Sequence, residues 1–223
     1  MKQELGNSSQ FFDDLRSALN SEQQNDIEYL YDYTDEGDRR WNNLVNYLEF
    51  MKSEQPDILM IGEAPGYRGT SVSGVPFLSE QMILHRQHDN LKLPLNNYVQ
   101  AKADGTSGYE ATSTAMWLTL DQHPTRKLPL LWATLPNHPH STDIKLSNRK
   151  PSKREIAPYL RIIDMLVAEY AIKRVVAIGN VAHDTLINYK YNDIIKIRHP
   201  ARGGARKFAD GYTHLIEEFY GKY

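Results

Sequence analysis

"RVVAIGNVAHDTLINYKYNDIIKI", residues 174–197, decides how this chain folds. A β-branched run halts at Gly179, a helix-like "NVAHDTLINY" follows, and "DIIKI" (193–197) is apolar again. Short apolar runs bounded by turn signals read as buried strands, and strands that alternate with helices read as units of a parallel sheet. Upstream, "PSKREIAPYLRIIDMLVAEY" (151–170) has Ser152 and Glu155 at capping-box spacing, with Ile156, Leu160, Ile163 and Val167 as the core face of one helix. "LPLLWATL" (128–135) reads as a strand stopping at Pro136, and "DILMIG" (57–62) as another. Trp41, Leu44, Val45, Leu48 and Met51 recur at helical spacing before it, and a last helix is expected from about Arg206 to Tyr220. The succession predicts an α/β sandwich around a mainly parallel sheet.

Ligands of such folds bind beyond the carboxyl ends of the strands. Those ends fall here at Gly62, Leu135, Gly179 and Ile197, and the chemistry-bearing residues gather just past them: Glu63, "PNHPH" (136–140) and "RHPARGG" (198–204).

The 223 residues suffice for one sizeable core, and a single domain spanning 1–223 is expected, with 1–40 as an acidic, helical N-terminal extension. With 40% hydrophobic and 24% charged residues and a mean hydropathy of -0.59, the composition is that of a soluble globular protein with no membrane span. "MKQELGNSSQFF" has neither an apolar core nor a small-residue cleavage pattern, so a cytoplasmic protein is expected. Cysteine is absent, which excludes disulfides, thiolate catalysis, cysteine-ligated zinc and iron–sulfur clusters. The net charge of -2 hides an uneven distribution: "SNRKPSKR" (147–154) and "KIRHPARGGARK" (196–207) contain no carboxylate. Either is a solvated loop or a track for phosphates.

Each motif has a functional and a plain reading. "GEAPG" (62–66) permits close backbone approach to a ligand with Glu63 projecting into a crevice, or it is a simple strand-to-helix turn. Neither the G-x-x-x-x-G-K-[ST] loop nor G-x-G-x-x-G occurs there, so no nucleotide cofactor is supported. Phe77 is a core residue or a platform on which a base stacks. His199 is a structural histidine or a donor to developing negative charge. His138 and His140 suggest a metal, but only Asp143 is near in sequence to complete a ligand set, and no metal is expected. A serine nucleophile lacks its G-x-S-x-G elbow.

"GEAPGYRGTSVSGVPFLSE", "PNHPHSTDIKLSNRKPSKREI", "VVAIGNVAHDTL" and "RHPARGGARKF", in that order and spacing, resemble the uracil-DNA glycosylase superfamily, in particular its bacterial "GEAPG" branch, here without iron–sulfur cysteines. The similarity runs from about Trp41 to about Phe208. It implies a three-layer α/β/α sandwich with a four-stranded sheet, DNA as partner, and cofactor-free hydrolysis of the bond between base and deoxyribose. It also implies roles. Glu63 and His199 are the catalytic pair; Gly62, Ala64, Pro65 and Gly66 lie along the flipped nucleotide; Phe77 stacks on the base; Ala133, Thr134 and Asn137 stand where its edge is read. Arg202 is the candidate minor-groove wedge, and Arg198, Gly203, Gly204, Arg206 and Lys207 belong to the loop that holds the DNA. The chemistry of the bond agrees, because breaking it creates a cationic sugar and an anionic base, which call for a carboxylate and a donor.

Three departures from the family pattern point away from plain uracil. Ala64 replaces an aspartate, so Glu63 carries the water-activating role; Ala133 replaces the asparagine that reads the uracil edge; and Gly66 replaces a tyrosine that excludes substituted pyrimidines. The expected target is a modified pyrimidine such as hydroxymethylated or glucosylated cytosine of phage DNA, which would make the protein a phage-defence glycosylase. The alternatives are a uracil or deaminated-base repair enzyme in which Thr134 or Asn137 reads the base, a damage-binding module without catalysis, and a hydrolase of free nucleosides.

Overall fold

Four parallel strands form the centre of the protein, whose computed structural model describes residues 2–85, 93, 97–102, 109–123 and 126–221. The chain enters through helix α1 (Lys2–Leu19), the short strand β1 (Ile27–Glu28) and helix α2 (Asp35–Glu54), then forms β2 (Ile58–Gly62). Two short helices, α3 (Thr70–Ser73) and α4 (Glu80–His85), lead to α5 (Ala111–Asp121), β3 (Leu130–Ala133) and β4 (His138–Pro139). Next come α6 (Lys153–Ile156), a 3₁₀ turn (Ala157–Tyr159) and α7 (Leu160–Glu169). The chain closes with β5 (Arg174–Ile178), α8 (Asn180–Tyr189), β6 (Ile195–Ile197) and α9 (Ala205–Tyr220).

The sheet runs β3-β2-β5-β6, and every ladder in it is parallel: Leu59 pairs with Leu130, Ile61 with Ala177, and Val176 with Ile195. Helices flank the sheet in an α/β/α sandwich. Every residue of β2 is buried, as the continuous apolar run of a parallel strand covered on both faces requires. The strand order changes direction between β2, whose next strand lies on one side, and β5, which lies on the other. That switch point opens a crevice beyond the carboxyl ends of the two central strands.

Local signals explain most boundaries. Ser152 and Glu155 form the expected capping box, each side chain bonded to the other's backbone N–H. The single helix expected from there is interrupted, because Pro158 lacks an N–H and the backbone tightens into the 3₁₀ turn. The core face consequently shifts to Ile156, Tyr159, Ile162, Ile163 and Leu166, leaving Leu160 and Val167 only partly buried. Strand β6 starts two residues later than "DIIKI" suggests.

From Phe11 onward the N-terminal segment packs into the body of the fold. Phe11, Leu15, Ala18 and Leu19 of α1 belong to the central core, and α1 packs on α7. β1 pairs antiparallel with β4, so Ile27–Glu28 is tied to His138–Pro139. Among the described residues no helix is long and apolar enough to cross a membrane.

Candidate active site

Beyond the carboxyl ends of β2, β3, β5 and β6 lies a cleft of about 1000 Å³, and Glu63, Phe77 and His199 all line it. The backbone on which Glu63 stands is fixed by hydrogen bonds that continue the β2–β3 pairing past the strands. Thr134 N–H donates to the Gly62 carbonyl (2.9 Å), while Thr134 Oγ1 (2.7 Å) and Leu135 N–H (3.1 Å) both donate to the Glu63 carbonyl. The carboxylate itself makes no hydrogen bond among the described residues. Burial raises its pKa above the ordinary glutamate value, with the positive charges of Lys150 and Arg202 pulling the other way. A partly desolvated carboxylate is a stronger base than a solvated one, and the two nearby cations favour its charged form.

Phe77 lines the same cleft as the two polar groups. Its backbone is left-handed (φ 55°) and is held from both sides: its N–H donates to Thr70 Oγ1 (3.1 Å), and its carbonyl accepts from Trp117 Nε1 (3.0 Å). The ring lies where a side chain at residue 62 would stand, so Gly62 is what lets the aromatic close over the end of β2. Its centroid is 6.4 Å from that of His199, with the planes 43° apart.

His199 follows β6 and is partly buried. Burial, and then the charge of Arg198, lower its pKa to about 4, so the imidazole is neutral at physiological pH. Ala201 N–H donates to Nδ1 (3.1 Å), which makes Nδ1 the acceptor and leaves the ring proton on Nε2. A neutral imidazole of that tautomer offers a hydrogen bond without carrying a positive charge. Beyond it the chain turns through left-handed Arg202 (φ 53°) and Gly203 (φ 71°), presenting an exposed Arg202 at the rim of the cleft.

Ala64, Pro65, Gly66, Ala133, Arg198 and Arg202 also line the cleft, as the sequence leads one to expect. Other expected positions stand elsewhere. Asn137 is fully buried: its Oδ1 accepts from Leu30 N–H (3.1 Å), and its Nδ2 donates to the Leu19 carbonyl (3.0 Å) and Tyr159 Oη (3.3 Å). Its amide ties the N-terminal segment to the core and is spent there rather than on a ligand. Thr134 is likewise buried, with its hydroxyl on the Glu63 carbonyl; together with Gly62 it positions the site without lining it. Gly203, Gly204, Arg206 and Lys207 lie outside the cleft, the two cations exposed on the first turn of α9. His138 reaches the Pro65 carbonyl through Nδ1 (2.8 Å), and among the described residues no cluster could hold a metal ion.

Sequence reasoning missed Glu110, Asn148 and Lys150, all three on the cleft wall. Asn148 and Lys150 were audible only as part of a basic stretch. They are held in place by Arg149 between them, which pairs with Glu155 through two hydrogen bonds (3.0 and 2.5 Å) and donates to the carbonyls of His140 and Asp26. Glu110 gave no signal, since it stands at the start of α5 far along the chain from every motif.

A parallel α/β/α sandwich with its ligand crevice at the switch point, lined by a carboxylate, an aromatic ring and a neutral imidazole, is the class that this fold and site define. The family model that matches is that of the uracil DNA glycosylase superfamily, over residues 49–219, and the chain belongs to that superfamily. No curated protein matches the chain.

Proposed function

We propose that the protein is a monofunctional DNA glycosylase that receives a flipped base in the cleft, hydrolyses its N-glycosidic bond and leaves an abasic site. The observation that carries this reading is that Glu63, Phe77 and His199 line one cleft, with the Phe77 and His199 rings 6.4 Å apart. As the bond breaks, its electron pair goes to the base and positive charge develops on the sugar. Nε2–H of His199 donates to the anionic base, while the Glu63 carboxylate stabilises the sugar cation and takes a proton from the water that attacks the anomeric carbon. Water thus supplies hydroxide to the sugar, and its proton goes to Glu63. Phe77 stacks on the base and keeps bulk water from that face. Arg202 at the rim reaches into the minor groove, while Arg206 and Lys207 on the first turn of α9 serve the phosphates, where the N-terminal backbone N–H groups of a 16-residue helix add to their charge.

The target we infer is a modified pyrimidine rather than plain uracil, with hydroxymethylated or glucosylated cytosine of phage DNA as the leading cases and phage defence as the role. Ala133 offers no amide to the base edge, and the two residues that could have replaced it, Thr134 and Asn137, are both engaged in the core. The size of the cleft, about 1000 Å³, stands at the upper end of ordinary ligand pockets and leaves room for a substituent.

Defined duplexes carrying uracil, 5-methylcytosine, 5-hydroxymethylcytosine or its glucosylated form, with released bases identified by mass spectrometry, test both parts. Release of a modified base, lost by about 10²-fold or more in Glu63→Ala while DNA binding persists, is the expected result. Release of uracil alone would return the protein to uracil repair, and binding without release of any base would make it a non-catalytic module.

A further inference from the structure

One wall of the cleft has a pair of polar groups with no assigned work. Glu110 bends over Gly66 and Gly69: its carboxylate fills the space where a side chain at residue 69 would stand, and its Oε1 is 2.9 Å from where a Cβ at residue 66 would be. Its Oε2 accepts from Ser113 Oγ (2.8 Å), which fixes the carboxylate, and its Oε1 has no hydrogen-bond partner among the described residues. Asn148 stands over the same glycine, its two terminal atoms 3.6 and 3.7 Å from the position of that Cβ. Tyr67 N–H donates to Asn148 Oδ1 (3.0 Å), which settles the orientation of the amide and leaves Nδ2 with its hydrogens unengaged.

An acceptor and a donor are therefore held over Gly66 in the lining of the cleft, each oriented by a bond to its other atom. A hydroxyl both donates and accepts and can satisfy the two together. A methyl group satisfies neither, an exocyclic amine only the carboxyl oxygen, and a carbonyl only the amide. We propose that Glu110 and Asn148 form a subsite that reads a hydroxyl carried by the base entering the cleft. The subsite rests on the modified-pyrimidine reading and names the chemical feature of the modification that is recognised. The hydroxyl belongs either to a group attached directly to the base or to a sugar linked through it.

Single-turnover excision from the four duplexes above tests this, with the unaltered protein compared with Glu110→Gln, Asn148→Ala and Gly66→Ala. The alanine Cβ in the last variant pushes the carboxylate aside without removing it. All three should lower the ratio of hydroxylated over methylated cytosine excision, Glu110→Gln by about 10- to 100-fold, the worth of one charge-assisted hydrogen bond. A ratio that falls for hydroxymethylcytosine assigns the contact to the group on the base; a fall confined to the glucosylated base assigns it to the sugar. Equal losses on every base would make Glu110 and Asn148 structural and overturn the subsite, as would a loss as large on methylcytosine as on its hydroxylated forms, the signature of amine reading. Thermal melting of each variant separates misfolding from altered selectivity, and the exposed Asn148 is the position least able to disturb the fold. If the unaltered protein releases a modified base and the ratios stay fixed, the subsite alone fails; if it releases none, the target reading fails and takes the subsite with it.

Discussion

Desolvation acts in opposite senses on the two groups at the heart of the cleft. It raises the pKa of Glu63, because an anion loses hydration, and lowers that of His199 to about 4, because a cation does. Base-excision rate should therefore fall as pH drops through a value above that of an ordinary glutamate, as the carboxylate takes up a proton. No second limb is expected near the usual histidine value of 6.5, since His199 is already neutral there. Single-turnover rates from mildly acidic to mildly alkaline pH check this. A rate that falls as pH rises through about 6.5, and still does so in Glu63→Gln, would mean that His199 works as a cation. Among these residues, Glu63 and His199 stood out in the sequence because they follow strand ends, and together with Phe77 they took on site roles only through the family resemblance. Glu110 did not stand out, because what brings it to Gly66 is packing between segments distant in the chain.

Elements place these residues, and the segment between β4 and α6 is the clearest instance. It carries Asn148 and Lys150 to the cleft, and the Arg149–Glu155 pair anchors it to the capping box of α6. Arg149 is the main reason that the Glu155 carboxyl is held down to about 2, from an ordinary 4.5. Its proton therefore binds the unfolded chain more readily than the folded one. The resulting stability, up to about 3 kcal/mol with the side chain only 12% exposed, is present above about pH 4.5 and is lost as pH falls towards 2. Glu155→Gln should lower the melting temperature at neutral pH and flatten the acid loss of stability, as melts recorded over a pH series will report; an unaltered acid slope would relocate that linkage. The capping box itself was visible in the sequence. The break at Pro158 that separates α6 from α7 was misread, because apolar residues recur on both sides of the 3₁₀ turn and only the packing shows that the buried face shifts across it.

At the scale of the whole molecule, the core is shared between the matched family region and the segment before it. The match begins at residue 49, yet Leu15 and Leu19 are fully buried in the central cluster, and Asn137, next to the cleft loops, donates to the carbonyl of Leu19. The N-terminal helix is thus part of what holds the cleft in shape. Leu15→Ala should cost about 2–5 kcal/mol, the range for emptying a buried leucine site. Denaturant unfolding measures it, and an unchanged midpoint would mean that α1 contributes little to the core. The sequence leads one to expect the first forty residues as an acidic helical extension of a single domain and leaves open whether they cover the site, contact a partner or pack; the burial of Phe11, Leu15, Ala18 and Leu19 shows α1 packed into the core.

The sequence by itself determined the order of strands and helices, the parallel sense of the sheet and the strand ends where chemistry collects. These follow from local periodicity, turn residues and the chirality of the chain, all written within a few consecutive positions. Only the tertiary structure decided that Asn137 serves the core, that α1 is built in, and that Glu110 and Asn148 stand together over Gly66. Each of those outcomes depends on contacts between residues far apart in the chain, where the space left by a missing side chain on one segment is filled by a polar group from another.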